Sequence, residues 1–245
     1  MNKLENITPE RQTETMVIDA WSDIICPFCY IGKRNLENAL EQTGLTGLVN
    51  VVWHSFELAP AAQTNPGTTI YEVLGKRKGW SLEQSKQIHK QMEQRAKESG
   101  LEYDFDQTVP ANSFKAHRLL HLAKEHGVQD DVKESLLRGY FTEGKHIDDE
   151  VYLLETGKHF GLNEDEVRNG LKSESTEKKV REDIRSARKL GIQGVPFLVL
   201  NQKYALSGAQ PVEVFVEALE KVKGEMGIQS HNSDEPAFCG PDGNC

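Results

Sequence analysis

The sequence predicts an α/β fold interrupted by a large all-helical insertion and ending in a flexible C-terminal tail. Three observations carry this. Two cysteines, in Cys26-Pro27-Phe28-Cys29, stand where a strand-like run passes into a helix-like run. A long middle stretch repeats its apolar residues at helical spacing. Strand character then returns in Gly194-Val195-Pro196-Phe197-Leu198-Val199-Leu200.

Taken in order, Met16-Val17-Ile18-Asp19-Ala20-Trp21 is short, apolar and partly alternating, which predicts the first strand. Leu36, Ala39 and Leu40 fall on one face of the helix after the cysteines. Gly44 and Gly47 punctuate, and Val49 to Phe56 alternates as a second strand, so the chain opens with a βαβ unit. Ala59 to Thr69 is rich in Pro, Gly and Thr and marks a boundary. Beyond it Ser81 and Gln84 form a capping box for a helix with Ile88, Met92 and Ala96 on one face, ending at Gly100. A second insertion helix starts near Asn112, carries Phe114, Leu119, Leu120 and Ala123, and stops at Gly127. A third starts at Asp130 or Asp131, buries Val132, Leu136 and Tyr140, and stops at Gly144. Shorter helices over 149–160 and 164–171 precede a long charged one from Thr176 to Gly191, with Val180, Ile184 and Ala187 inward. The run 194–200 is apolar throughout, which predicts a central strand buried on both faces. Asn201-Gln202 turns the chain and Lys203 to Ser207 pairs back as a hairpin. A last helix from Pro211 presents Val214, Phe215, Ala218, Leu219 and Val222. The Gly-, Ser-, Asn-, Asp- and Pro-rich residues 227–245 have the composition of a mobile tail.

Charge and apolar run length restrict the function classes. The 245 residues carry a net charge of -9, which argues against a nucleic-acid or anionic-membrane surface. The basic run Lys76-Arg77-Lys78 reads as an exposed helix end. The first fifteen residues hold no apolar stretch of signal-peptide length, and the longest apolar run, Val195 to Leu200, is far short of a membrane span. A soluble, cytoplasmic protein is expected. Four cysteines in two close pairs then point to catalytic or sensing thiols rather than a secreted disulfide scaffold.

A Cys-x-x-Cys pair beside a βαβ pattern reads first as a redox motif; half of a zinc site and an inert disulfide are the alternatives. At a helix start, free N–H groups and the positive end of the macrodipole favour a thiolate. Cys26 is therefore expected to be the low-pKa attacking sulfur and Cys29, one turn inside, the shielded resolving thiol. His117 and His121, four apart on a helix, have the spacing of a metal-ligand pair but lack the adjacent glutamate of a zinc protease. Partly buried polar histidines are the plainer reading. Trp21, Trp53 and Phe56 are expected in the core. Asp19 and Asp23 stand near enough to the dithiol for one to relay a proton to Cys29, with an exposed or capping aspartate as the default. In the tail, Cys239-Gly240-Pro241-Asp242-Gly243-Asn244-Cys245 contains a turn able to bring two cysteines within disulfide range. That pair is expected to serve as an accessory redox pair, a relay or sensor, unless it is an accident of the tail.

The segment Asp23-Ile24-Ile25-Cys26-Pro27-Phe28-Cys29-Tyr30-Ile31-Gly32-Lys33 resembles the active site of the DsbA-like family, and within it the cytoplasmic FrnE-like branch. So do Asn112 to Leu119, Tyr140 to Gly144, Gly194 to Phe197 and Ser207 to Pro211, in the family's order across residues 16–222. The resemblance implies a thioredoxin-like domain made of residues 16–62 and 176–226, with residues 63–175 as a helical insertion packed over the active site and 227–245 as a Cys-containing tail. It also implies a cis peptide between Val195 and Pro196; a proline at a strand start leaves the adjacent Val195 backbone available to a substrate. The function expected is thiol–disulfide oxidoreduction at Cys26 and Cys29, with Pro27, Phe28, Val195 and Pro196 contacting protein or small-molecule disulfide and thiol substrates. No metal and no cofactor beyond the redox-active disulfide is expected, and no nucleic-acid or membrane partner. The rivals are a glutathione-dependent isomerase or transferase of the same superfamily, against which Cys29 argues, and a zinc protein using Cys26, Cys29, Cys239 and Cys245.

Overall fold

Alternation in the first apolar run decides the centre of the sheet. In the computed structural model, which describes residues 15–228, β1 (Met16–Ser22) sends Met16, Ile18 and Ala20 fully buried to one face. Helix α1 (Pro27–Gln42) connects it to β2 (Val49–Ser55), which pairs with it in parallel. On its other side β1 pairs antiparallel with β3 (Phe197–Leu200), and β4 (Tyr204–Ser207) folds back on β3. Asn201 and Gln202 both take positive φ, 47° and 58°, at the centre of a tight turn that the Lys203 amide closes on the Leu200 carbonyl at 3.0 Å. The sheet order is β2-β1-β3-β4.

Between β2 and β3 lie the insertion helices α2 (Ile70–Lys78), α3 (Leu82–Glu98), α4 (Phe114–Glu125), α5 (Gln129–Phe141), α6 (Glu150–His159) and α7 (Glu164–Gly170), followed by α8 (Glu174–Lys189), which leads back to the sheet. The insertion's apolar faces close on one core that holds Leu119, Leu136, Phe141 and Leu153 and takes in Ile24, Tyr30 and Ile31 from the dithiol segment. The last helix, α9 (Val212–Met226), joins α1 on the sheet face of Met16 and Ile18, burying Phe215, Leu219 and Val222 beside Leu36. The opposite face meets α8 through Trp21, Ala187 and Ile192. Among the described residues no helix is long and apolar enough to cross a membrane.

Several elements depart from the sequence expectation. Helix α2 precedes the first insertion helix expected at Ser81 and is closed by a reciprocal capping box between Thr69 and Glu72. The signal, Thr-x-x-Glu, begins on the last residue of the Pro/Gly/Thr stretch. On α3 the buried line is Ser85, His89 and Ala96, while Met92 is half-buried. Strand β3 is central, but Phe197 and Val199 are only partly buried, on the face where they pack in a small cluster with Trp21, Ala187 and Ile192. The tail was expected from 227; Gly227 caps α9 at φ 65°, and Ile228 still packs on the core. Cys239 and Cys245 lie outside the described residues.

Two polar clamps fix the insertion to the sheet. Strand β2 is an edge, and its Trp53 backbone groups are taken by the Gln129 side chain, N–H to Oε1 at 3.1 Å and Nε2 to the carbonyl at 2.9 Å. On the other side Asp183 of α8 accepts from His54 Nδ1 (2.8 Å), the Ser55 amide (2.8 Å) and His121 Nε2 (3.1 Å). His54 also reaches Asp19 at 2.8 Å.

Candidate active site

Cys26 is the N-cap residue of α1 and Pro27 its first helical residue, a position where a missing amide hydrogen costs nothing. No acidic residue occupies the first turn, so the positive end of the helix is left to the sulfurs. Both thiols are free, with Cys26 3% exposed and Cys29 fully buried. The Cys26 thiol donates to the Val195 carbonyl at 3.5 Å, and the Asp23 amide donates to Cys29 Sγ at 3.5 Å. Val195-Pro196 is cis, in agreement with the expectation. Pro196 packs so near α1 that a Cβ on Gly32 would stand 3.0 Å from its Cγ, which is why glycine occupies that helical position.

Burial and the contact between the two sulfurs act on both thiols together. Cys29 is the thiol held below its ordinary value: burial opposes its ionisation, but the hydrogen bond from Cys26, the Lys133 ammonium, the Ser22 hydroxyl and the Asp23 amide outweigh it. Cys26 is pushed well up, first by its hydrogen bond to Cys29, then by burial and by the Cys29 charge. The helix-start argument is local, whereas Lys133 and Asp23 act on the thiols from outside α1.

The insertion grips the dithiol turn directly. Tyr103 donates to the Pro27 carbonyl at 2.7 Å, and the Arg95 guanidinium lies 5.2 Å from the centre of the Phe28 ring. An apolar cleft of about 100 Å³ opens beside the turn, lined by Ile25, Pro27, Trp80, Met92 and Phe105.

Beneath the sulfurs is a buried polar cluster. Asp23 accepts from the amides of Leu58 (2.7 Å) and Ile25 (3.4 Å) and contacts His117 Nε2 at 3.3 Å. Although burial raises its carboxyl, the bond and charge of His117 and the Leu58 amide leave it below the usual carboxylate range. His117 and His121, paired by spacing, thus serve different carboxylates, Asp23 and Asp183. Of the two aspartates considered from sequence, Asp23 lies under the dithiol and Asp19 is held by His54. Lys133 of α5, fully buried, completes the cluster and had no sequence signal beyond its place on an amphipathic helix. Among the described residues no group of three or more His, Cys, Asp or Glu could hold a metal ion. Two of the four cysteines of the zinc reading are outside them.

A dithiol at the start of the first helix, with a cis-proline loop packed beside it, defines the class: a thioredoxin-like protein. The family profile described as DSBA-like thioredoxin domain matches residues 17–220, and the chain belongs to this family. It is 36% identical to a structure described as a probable DsbA oxidoreductase from Streptomyces coelicolor, with a TM-score of 0.78 over 93% of this chain and 97% of that one. It is 25% identical over 207 residues to the uncharacterized protein YwbO of Bacillus subtilis, covering 84% of this chain and 96% of the relative. The cytosolic disulfide reductase DsbM of Pseudomonas aeruginosa, solved with GSH, shares the fold at a TM-score of 0.59 and 18% identity, over 84% and 98% of the two chains.

Proposed function

We propose that the protein is a cytoplasmic thiol–disulfide oxidoreductase that cycles between a Cys26/Cys29 dithiol and its disulfide without a further cofactor. The observation that carries this reading is the pair of free thiols at the start of α1, graded in depth, with the outer one beside the Val195 carbonyl. Loss of the Cys26 proton to solvent leaves a thiolate on the outer sulfur. Cys26 then attacks a substrate disulfide, one substrate sulfur leaves as a thiolate, and Cys29 displaces the other, closing the Cys26–Cys29 disulfide. Run in reverse, the same steps donate a disulfide.

Val195 and Pro196 face Cys26 and are assigned to the substrate backbone, with Pro27 and Phe28 on the adjoining rim. The apolar cleft beside Pro27 supports a polypeptide disulfide with an apolar neighbour as substrate. Glutathione is a second candidate as electron donor, on the ground that the DsbM neighbour was solved with GSH. Cys239 and Cys245 are assigned as an accessory relay or sensor pair.

Insulin-disulfide reduction with dithiothreitol or glutathione as donor tests the reading. Cys26→Ser is expected to abolish turnover, and Cys29→Ser to accumulate mixed disulfides on Cys26. Full activity in Cys26→Ser overturns the enzymatic assignment. Truncation after Gly227 that changes neither rate nor potential removes the tail from the cycle.

A further inference from the structure

We propose that His89 of α3 selects the substrate: its unpaired ring nitrogen accepts a hydrogen bond from the hydroxyl of a tyrosine side chain that enters the apolar cleft beside Cys26. The proposal deepens the thiol–disulfide reading above, by naming the residue that adjoins the substrate cysteine, and rests on it.

The cleft adjoins the outer thiol. Ile25 and Pro27, which line it, are the chain neighbours of Cys26 on either side, each with its Cα about 3.8 Å from that of the cysteine. A substrate joined to Cys26 through a mixed disulfide thus brings its own neighbouring side chains to this cleft. Leu74 of α2, Met92 of α3, Trp80 and Phe105 close the rest of the wall. Among the described residues that line it there is no aspartate, glutamate, lysine or arginine, so an ionised side chain would lose its hydration there without a counter-charge.

The ring that interrupts this wall is His89. It is 4% exposed and stands edge-on to Tyr71 and Phe105, with ring centres 5.0 and 4.6 Å away. Its Nδ1 lies 2.7 Å from the Ser85 carbonyl, which only accepts, so Nδ1 carries the proton and Nε2 presents a lone pair. No described residue donates to Nε2. Burial holds the ring below its ordinary value, against the Ser85 carbonyl and Glu93, and so keeps Nε2 an acceptor at neutral pH. The Thr108 hydroxyl, also at the cleft, is already engaged with the Asp104 and Tyr140 carbonyls at 3.1 and 3.3 Å.

A buried acceptor without a donor is costly, and an occupant that supplies one removes the cost. That occupant must be uncharged, apolar along its body and a donor at its tip. Tyrosine meets all three conditions. The cleft, about 100 Å³ and open on one side, is on the scale of one aromatic ring, since a closed apolar cavity of about 150 Å³ takes a benzene. Phenylalanine brings the ring without the donor, serine and threonine the donor without the ring, and lysine a charge.

The test uses the full chain and peptide disulfides that differ only in whether tyrosine or phenylalanine adjoins the cysteine, before it in one pair and after it in another. In one of the pairs the wild type is expected to reduce the tyrosine peptide with a kcat/KM about tenfold above that of its phenylalanine twin, which leaves the buried acceptor unpaired. His89→Phe keeps a ring beside Tyr71 and Phe105 but removes the acceptor, and the ratio should fall to about one. Equal values for tyrosine and phenylalanine in the wild type overturn the proposal, as does a tyrosine preference that survives in folded His89→Phe. A second readout needs no turnover: the nitrogen resonance of His89 Nε2, followed by NMR in the wild type, should move with a tyrosine peptide whose cysteine is replaced by serine and stay in place with the phenylalanine one. The same response to both overturns the proposal as well. A wild type that exchanges no disulfide at all defeats the functional reading instead, while the resonance still reports on His89.

Discussion

Cys26 and Cys29 are one helical turn apart, yet they answer to different halves of the molecule. Cys26 faces the sheet side, where the Val195 carbonyl accepts from its thiol and Gly32 lets Pro196 approach the helix. Cys29 faces a buried cluster largely furnished by the insertion: Lys133 from α5, and His117 from α4 acting through Asp23. The sheet side places the outer sulfur beside a backbone carbonyl. The insertion side supplies charge. It follows that the insertion does more than wall the cleft, since removing it would take away buried charged groups that act on the dithiol and on Asp23.

Severing the two halves should give the largest effect. Asp183→Asn leaves His54, His121 and the Ser55 amide with a poorer acceptor, and a stability loss of roughly 3–5 kcal/mol is expected in urea unfolding. Its pH dependence follows from two shifts. Asp183 is held well below its ordinary value, although burial opposes this, by His121, His54 and the Ser55 amide, so its contribution is present above 3.8 and fades as pH falls through the lowered value. His54 is raised by Asp183 and Asp19 against burial, so its contribution is complete below 6.5 and is lost as pH rises through the raised value. The gap between wild type and variant should be widest between 3.8 and 6.5. A gap that does not vary with pH would mean that the clamp is not ionic.

Lys133→Met should act with the opposite sign. The lysine falls from 10.5 to about 8 through burial, and at about 1.4 kcal/mol per unit the reduced wild type carries a penalty on the order of 3 kcal/mol at neutral pH. The unfolded chain binds the extra proton between those values, so wild-type stability should gain on the variant as pH rises through that window. A variant less stable at neutral pH would show the charge to be net stabilising.

On the sheet side, Gly32→Ala sets helix propensity, worth about 1 kcal/mol in favour of alanine, against the 3.0 Å approach to Pro196. Overpacking is expected to win, with a net loss of about 1–2 kcal/mol and slower disulfide exchange. A stabilised, fully active variant would mean the Pro196 loop yields freely. Tyr103→Phe, which removes only the hydrogen bond to the Pro27 carbonyl, should cost about 1 kcal/mol and leave the thiol titration in place.

The sequence by itself determined what local pattern encodes. Cys26-Pro27-Phe28-Cys29 fell at the strand-to-helix junction because apolar alternation before it and helical spacing after it are short-range signals, and Asn201-Gln202 marked the hairpin for the same reason. The ordered family motifs implied the insertion and the cis bond at Pro196, both of which the structure contains. Only the tertiary structure decided where the buried charges are balanced. Lys133 reads as one more lysine on α5, and His54 and Asp183 are 129 residues apart. A helix dipole can be inferred from a helix start, but the energy of a buried charge such as Asp183 is set by its spatial neighbours, not by its neighbours in sequence.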